Sequence, residues 1–252
     1  MARQAGSDWI SRIQERHRKD LTFQELRKGV VALSRIYVEN RQGIEGGAVF
    51  DGAAKRAAFA CYYAPLHFLT VREVVLALEA HELRLKTIVD LGCGLGVAGA
   101  AWAALLQSPP RILGYERQRW AAEEARKVLR ELGMRARILP TSLEKAPVAG
   151  RNDAVVAAFS VNELDSESRS LLFPRLMEGA RRGAAVLIVE PIARRPNPWW
   201  DGWSEAFQGA GGRSDSWRFR IELPESLAAL DRASGLDHEE LTARTLYLAP
   251  SR

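Results

Sequence analysis

The apolar positions change their period partway along the chain. In "TFQELRKGVVALSRIYVEN" Leu26, Val30, Leu33, Ile36 and Tyr37 recur three and four residues apart, one face of an α-helix. Thr22 and Glu25 stand before them at capping-box spacing, where each side chain can satisfy a free backbone N–H at the helix start. "RQGIEGG" ends the pattern. A second helix is predicted over "GAAKRAAFACYYA", stopping near Pro65. A third is predicted over "TVREVVLALEA", with Thr70 and Glu73 again at capping-box spacing. Residues 1–81 therefore read as a helical segment.

From Lys86 onward, short apolar runs alternate with helical patterns, the signature of βαβ units and a parallel sheet. "TIVDLG", "RILGYE", "RARILP", "DAVVAAFS" and "AAVLIVEP" read as five strands. "GVAGAAWAALLQ", "RWAAEEARKVLREL" and "SRSLLFPRLMEGARR" read as the helices between them, the last with Pro174 as a kink. After a Pro-, Gly- and Trp-rich stretch, "SWRFRIEL" and "LTARTLYLA" read as two more strands around a helix in "PESLAALDRAS" that begins with proline. The expectation is an α/β fold: a Rossmann-like seven-stranded doubly wound sheet over residues 82–252, with an N-terminal helical cap over residues 1–81.

Composition narrows the setting. An apolar content of 47% supports a packed core. No apolar stretch approaches the ~20 residues of a membrane span, and the polar, mixed-charge start does not read as a secretory signal. Cys61 and Cys93 are too few for a disulfide framework or a cysteine-based metal site, so a reducing cytoplasm and no bound metal are expected. The net charge is +5, and 30 of the 36 basic residues are arginine. Arginine's planar fork suits phosphate, so nucleic acid is an admissible partner; a GC-rich genome explains the same bias.

The chemistry is concentrated in "IVDLGCGLG", residues 88–96. Gly92, Gly94 and Gly96 fall where the first strand ends and a helix begins. Such a turn calls for positive φ, and the helix start offers free N–H groups to a ligand at the sheet's carboxyl end. The spacing is G-x-G-x-G after Asp90, unlike the G-x-G-x-x-G of nicotinamide-binding folds. Glu116 ends the second strand, where a carboxylate can accept hydrogen bonds from both ribose hydroxyls of a nucleoside. Cys93 reads as a small neutral filler within the loop.

This form of loop resembles that of class I S-adenosylmethionine-dependent methyltransferases. In that fold Asp90, Gly92, Cys93, Gly94 and Gly96 would surround the methionine end of the cofactor and Glu116 its ribose. Ser142 and Leu143 in "LPTSLEKAP" would meet the adenine, and Ser160 in "FSVNELD" would complete the cofactor contacts. Asn162 and Glu163 would lie near the transferred methyl, with Glu163 as a proton acceptor, or else cap the next helix. Glu190 is a further pocket candidate, and Tyr63 would touch the methionine carboxylate or serve as packing. Together "KRAAFACYYAPLHFLTVREVVLAL", "VDLGCGLG", "FSVNEL" and "VLIVEP" resemble the methyltransferase-like family of mitochondrial small-ribosomal-subunit assembly proteins and their bacterial relatives. That resemblance implies ribosomal RNA or a small-subunit assembly particle as partner. The chain lacks the cysteines that longer members carry beyond the fifth strand. A small-molecule acceptor, with "ARRPNPWWDGW" as a lid, and a non-catalytic assembly module stand as alternatives. In that stretch Arg194, Arg195, Trp199, Trp200 and Trp203 would either bind RNA or close over a small substrate.

Overall fold

The computed structural model describes residues 2–19, 21–39, 50–192 and 198–250. The "RQGIEGG" break and Arg194 and Arg195 lie outside them.

Two helices open the chain, α1 (Ala2–His17) and α2 (Phe23–Glu39). The capping box before α2 forms as its spacing predicts: the Thr22 N–H donates to Glu25 Oε2 (2.8 Å) and the Glu25 N–H to Thr22 Oγ1 (3.3 Å). The next segment departs from the sequence reading. α3 (Ala53–Ala58) runs through a π-helical turn (Phe59–Tyr63) straight into α4 (Ala64–Ala77). Pro65 does not stop the helix. Proline cannot donate to the carbonyl four residues back, that of Cys61, and the Cys61 oxygen instead accepts from Gln14 Nε2 of α1 (3.3 Å). Thr70 is not a cap either. It lies in mid-helix and donates its hydroxyl to the Leu66 carbonyl (2.8 Å).

The remaining elements are β1 (Thr87–Leu91), α5 (Val97–Ala103), β2 (Arg111–Tyr115), α6 (Arg119–Glu131), β3 (Ala136–Leu139), β4 (Asp153–Ala158), α7 (Ser166–Arg181), β5 (Ala185–Glu190), α8 (Pro198–Gly209), β6 (Arg213–Arg220), α9 (Glu225–Ala233) and β7 (Glu240–Leu248). The seven strands form one sheet in the order β3-β2-β1-β4-β5-β7-β6. β1 to β5 are parallel, and β7 inserts antiparallel between β5 and β6. This is the seven-stranded Rossmann-like architecture expected from the sequence.

Side chains alternate between the two faces of the strands. Ile88, Ile112, Val156 and Leu187 join a core with α1 to α6 and α9. Val89, Leu91, Val155 and Ile188 join a second core with α7 and α8. The N-terminal helices share the first core, which runs from Trp9 to Tyr247, and α4 packs along α5 as part of the layer that covers the sheet. Pro198–Gly209 is a helix, and its Trp200, Trp203 and Phe207 are buried. Trp200 and Trp203 therefore serve the second core and are not presented as an aromatic loop. No described helix is long and apolar enough to cross a membrane.

Candidate functional site

Parallel strands deliver the predicted residues to one end of the sheet. β1 carries Asp90, and the chain then turns through Gly92, Gly94 and Gly96, with φ of 63°, 51° and 76°. Only glycine adopts these values without strain. Two of the three also sit where the protein itself presses in. A Cβ on Gly92 would stand 2.7 Å from the Ser160 Cβ, and one on Gly96 would stand 2.7 Å from Leu129 Cδ1. At Gly94 the nearest group is the Phe59 ring, 3.6 Å away. The bare backbone thus meets the loop after β4, α6 and the π-helical turn.

Asp90 is 1% exposed. Its Oδ2 accepts from the Gly99 N–H of α5 (2.8 Å), while its Oδ1 is buried without a hydrogen-bond partner. Burial raises its pKa to about 7, and Glu116 adds to the rise. The buried Glu116 reaches back to the loop. Its Oε2 accepts from the Gly94 N–H (2.9 Å) and its Oε1 from the Gln118 N–H (2.7 Å). Burial raises its pKa as well. Each carboxylate oxygen can accept a second hydrogen bond.

Cys93 bonds its own N–H to the Tyr115 carbonyl (3.1 Å), extending the parallel ladder by one residue. Its sulfur fills the space left by Gly114, where a Cβ would come within 2.7 Å of Sγ. Burial pushes the thiol well above its usual pKa, so it is not a thiolate. Leu143 is buried beside Gly92. Ser142 precedes it and turns the chain, its carbonyl accepting from the Lys145 N–H (3.2 Å). Ser160 is buried and donates its hydroxyl to the Leu91 carbonyl (2.9 Å).

A short 3₁₀ turn, Val161–Glu163, follows β4. Glu190, fully buried at the end of β5, accepts from the Val161 N–H (2.8 Å), the Asn162 N–H (3.1 Å) and Asn162 Nδ2 (2.7 Å). The Asn162 side chain therefore points to Glu190 and α8, where its Oδ1 accepts from Trp199 Nε1 (3.2 Å). Neither Asn162 nor Glu163 caps α7; Asp165 does, accepting from the Ser168 N–H (2.6 Å). Glu163 is half-buried, and burial together with Glu190 and Glu116 lifts its pKa to about 8. Burial raises Glu190 to about 7.

Tyr63 lies in the π-helical turn, its ring 5.0 Å from Tyr37 and 6.4 Å from His67. His67 stacks on Phe159, with centroids 4.0 Å apart and planes at 17°. Burial lowers its pKa to about 3, so the imidazole is neutral at ordinary pH. Phe159 holds φ at 57°, a left-handed value that costs a non-glycine residue about 1–2 kcal/mol. Its N–H reaches the Val189 carbonyl (2.7 Å), and its ring joins the group over the strand ends. Sequence reasoning missed Phe159 and Phe59. Nothing in the residue type announces a left-handed phenylalanine, and the π-helical turn is marked only by the proline that follows it.

Asp90, Glu116, Glu163 and Glu190 thus converge on one end of the sheet under a cover of aromatic rings. Among the described residues no group of three or more His, Cys, Asp or Glu side chains is arranged to hold a metal ion.

No protein-family model and no curated protein matches the chain, so the resemblance to the ribosome-assembly family gains no support there. Solved structures do match. A proposed O-methyltransferase of Nostoc punctiforme is 13% identical, with a TM-score of 0.55 over 87% of this chain and 72% of that one. Magnesium protoporphyrin IX methyltransferase of Synechocystis, solved with bound S-adenosylmethionine, is 14% identical, with a TM-score of 0.48 over 92% of this chain and 99% of that one. A SAM-dependent methyltransferase of Aquifex aeolicus is 15% identical, with a TM-score of 0.47 over 72% of this chain and 92% of that one. At 13% identity the likeness to the first of these establishes the fold alone, a Rossmann-like seven-stranded sheet.

Proposed function

We propose that the protein is an S-adenosylmethionine-dependent methyltransferase. One observation carries the reading: the unpartnered buried Oδ1 of Asp90 beside the glycine turn, with Glu116 one strand away. Two acids with raised pKa values and spare acceptor capacity suit a ligand that brings cationic groups and a ribose diol. S-adenosylmethionine supplies an activated methyl on a positively charged sulfur. The chain's part is to hold and align: Asp90 and the glycine turn at the amino-acid end, Glu116 at the ribose, and Leu143 and Ser142 at the base. Ser160, anchored on the Leu91 carbonyl, backs the cofactor loop, and Glu163 of the Val161–Glu163 turn faces the acceptor. Glu163 is mostly protonated at neutral pH by itself; a cation beside it favours the carboxylate and equips it to take the acceptor's proton.

Two acceptor classes follow from separate observations. Arg111, Arg117, Arg119, Arg135 and Arg137 are exposed around β2 and β3, which supports the RNA or ribosomal particle implied by the resemblance. The rings of Tyr37, Tyr63, His67 and Phe159 support a small planar acceptor; a cytoplasmic setting is the expectation that goes with either class.

Titration calorimetry with S-adenosylmethionine, S-adenosylhomocysteine and NAD tests the reading. Binding of both sulfur ligands and not NAD is expected; the reverse, or no binding, overturns it. RNA binding with a steep salt dependence selects the first acceptor class, and its absence selects the second.

A further inference from the structure

The strongest hydrogen-bonded network near the site involves a residue outside the proposed reaction. Glu190 spends three acceptor positions on the Val161–Glu163 turn, and the shortest of these bonds is from Asn162 Nδ2, at 2.7 Å. A carboxamide offers NH₂ on one side and oxygen on the other, and the two exchange if it flips. The indole N–H is only a donor, so Trp199 Nε1 at 3.2 Å requires the amide oxygen on its own side and leaves NH₂ facing Glu190.

Trp199 is itself held firmly. Its ring contacts those of Trp200 (5.5 Å) and Trp203 (5.0 Å). The guanidinium groups of Arg169 (5.9 Å) and Arg244 (6.0 Å) lie over it. Arg169 also reaches back from α7 to the carbonyls of Val161 and Leu164. The turn is thereby held from β5, α7 and α8 together.

We propose that Trp199 is a positioning residue: by fixing the Asn162 amide it turns the NH₂ donor toward Glu190, and so holds the turn bearing Glu163 at the end of the sheet. The role in methyl transfer rests on the function proposed above; the orientation of the amide does not. The charged groups facing Glu190 are Arg244 on β7 and Glu163 on the turn; Arg244 also lies over the rings of Trp199 and Trp200, nearer to Trp200, so an aromatic replacement at 199 is the one that leaves it seated.

The test needs no ligand. Side-chain carboxyl carbon resonances are titrated with pH in wild type, Trp199→Phe, Asn162→Leu and the double variant, with Glu190→Gln to assign Glu190. Trp199→Phe keeps an aromatic ring against Trp200, Trp203 and the two guanidinium groups and removes the N–H donor, and the Asn162→Leu background separates the loss of the donor from any change in ring packing. It is expected to raise the Glu190 midpoint by about one pH unit, the scale of one hydrogen bond to a charged group. In the Asn162→Leu background the same substitution is expected to change nothing, because the effect passes through the amide. An unmoved midpoint in Trp199→Phe, or an equal shift in both backgrounds, overturns the proposal. Calorimetry with S-adenosylhomocysteine on the same samples separates the two claims: no binding to wild type sinks the methyltransferase reading, while the titration alone decides the role of Trp199.

Discussion

Two regions along the strand ends of this sheet carry buried carboxylates and use them in opposite ways. At the ends of β1 and β2, Asp90 and Glu116 accept three backbone N–H groups between them and leave Asp90 Oδ1 unpartnered. At the end of β5, Glu190 alone accepts three donors and is fully enclosed. An acid that costs stability through burial and keeps spare acceptor capacity is suited to a ligand. An acid most of whose acceptor capacity is taken by its own chain is suited to holding shape. Under the proposed function, ligand binding falls to the first half of the sheet and alignment to the second.

The sharpest way to break this comparison is at Gly92. Replacement by alanine forces a φ of 63° on a branched Cα and drives the new methyl to 2.7 Å from the Ser160 Cβ, the residue anchored on Leu91. Strain and clash together should cost about 2–4 kcal/mol, a fall in Tm of roughly 5–15 °C for a chain of this size. Gly133→Ala provides the control: its φ is 69°, but nothing lies within 4 Å of the new atom. It should cost only about 1 kcal/mol. Equal losses at the two positions, measured by thermal unfolding, would show that Ser160 does not press on the loop.

Next in size is the contrast between the acids. Glu116→Ala should weaken S-adenosylmethionine binding by about 100-fold, from the loss of two hydrogen bonds to a charged group. Glu190→Ala strands three donors instead, so its damage should appear mainly in the melting temperature. Calorimetry and thermal unfolding of both variants give the comparison, and a reversed pattern would exchange the roles assigned to the two ends.

Smaller effects should come from pH. Asp90 and Glu190 at about 7 and Glu163 at about 8 all lie above the ordinary carboxylate range. The folded protein therefore holds more protons than the unfolded chain between roughly pH 4 and 8, and stability of the ligand-free protein falls as pH rises through that window. A cationic ligand offsets the charge that appears, so proton release should accompany binding. Its affinity should rise by about tenfold from pH 6 to 8, an order-of-magnitude figure for about one group changing charge. Calorimetry in buffers of different ionisation enthalpy counts the protons; proton uptake would contradict the cationic character of the ligand.

The first strand end was far more legible in the sequence than the second. Asp90, the alternate glycines and Glu116 are local signals, set by one strand and one turn each. The seven strands and the parallel sheet followed from alternating patterns, and α2 from its capping box. What escaped depends on groups far apart in the chain. Pro65 looked like a helix end because proline removes a donor, and no local signal shows that Gln14 supplies another. Asn162 looked like a reacting group because its position was readable and its partners, Glu190 and Trp199, were not. The tryptophans of α8 looked like a loop for the same reason: helix and burial are set by the second core, not by the run of Pro, Gly and Trp.

Cys93 offers the smallest and most discriminating test, because it lies inside the ligand-binding loop and yet belongs to the packing. Its thiol fills the notch at Gly114 and its pKa is raised by burial, while its backbone N–H completes the ladder to Tyr115. Cys93→Ala removes one buried sulfur and should cost about 1 kcal/mol, with affinity for S-adenosylmethionine unchanged, since only backbone faces the ligand there. The folded protein should also resist iodoacetamide at this position, followed by mass spectrometry of the Cys93 peptide. A thiol that alkylates readily while the protein is native, and is protected by S-adenosylhomocysteine, would place the sulfur in the crevice and move this residue from the wall of the site into its chemistry.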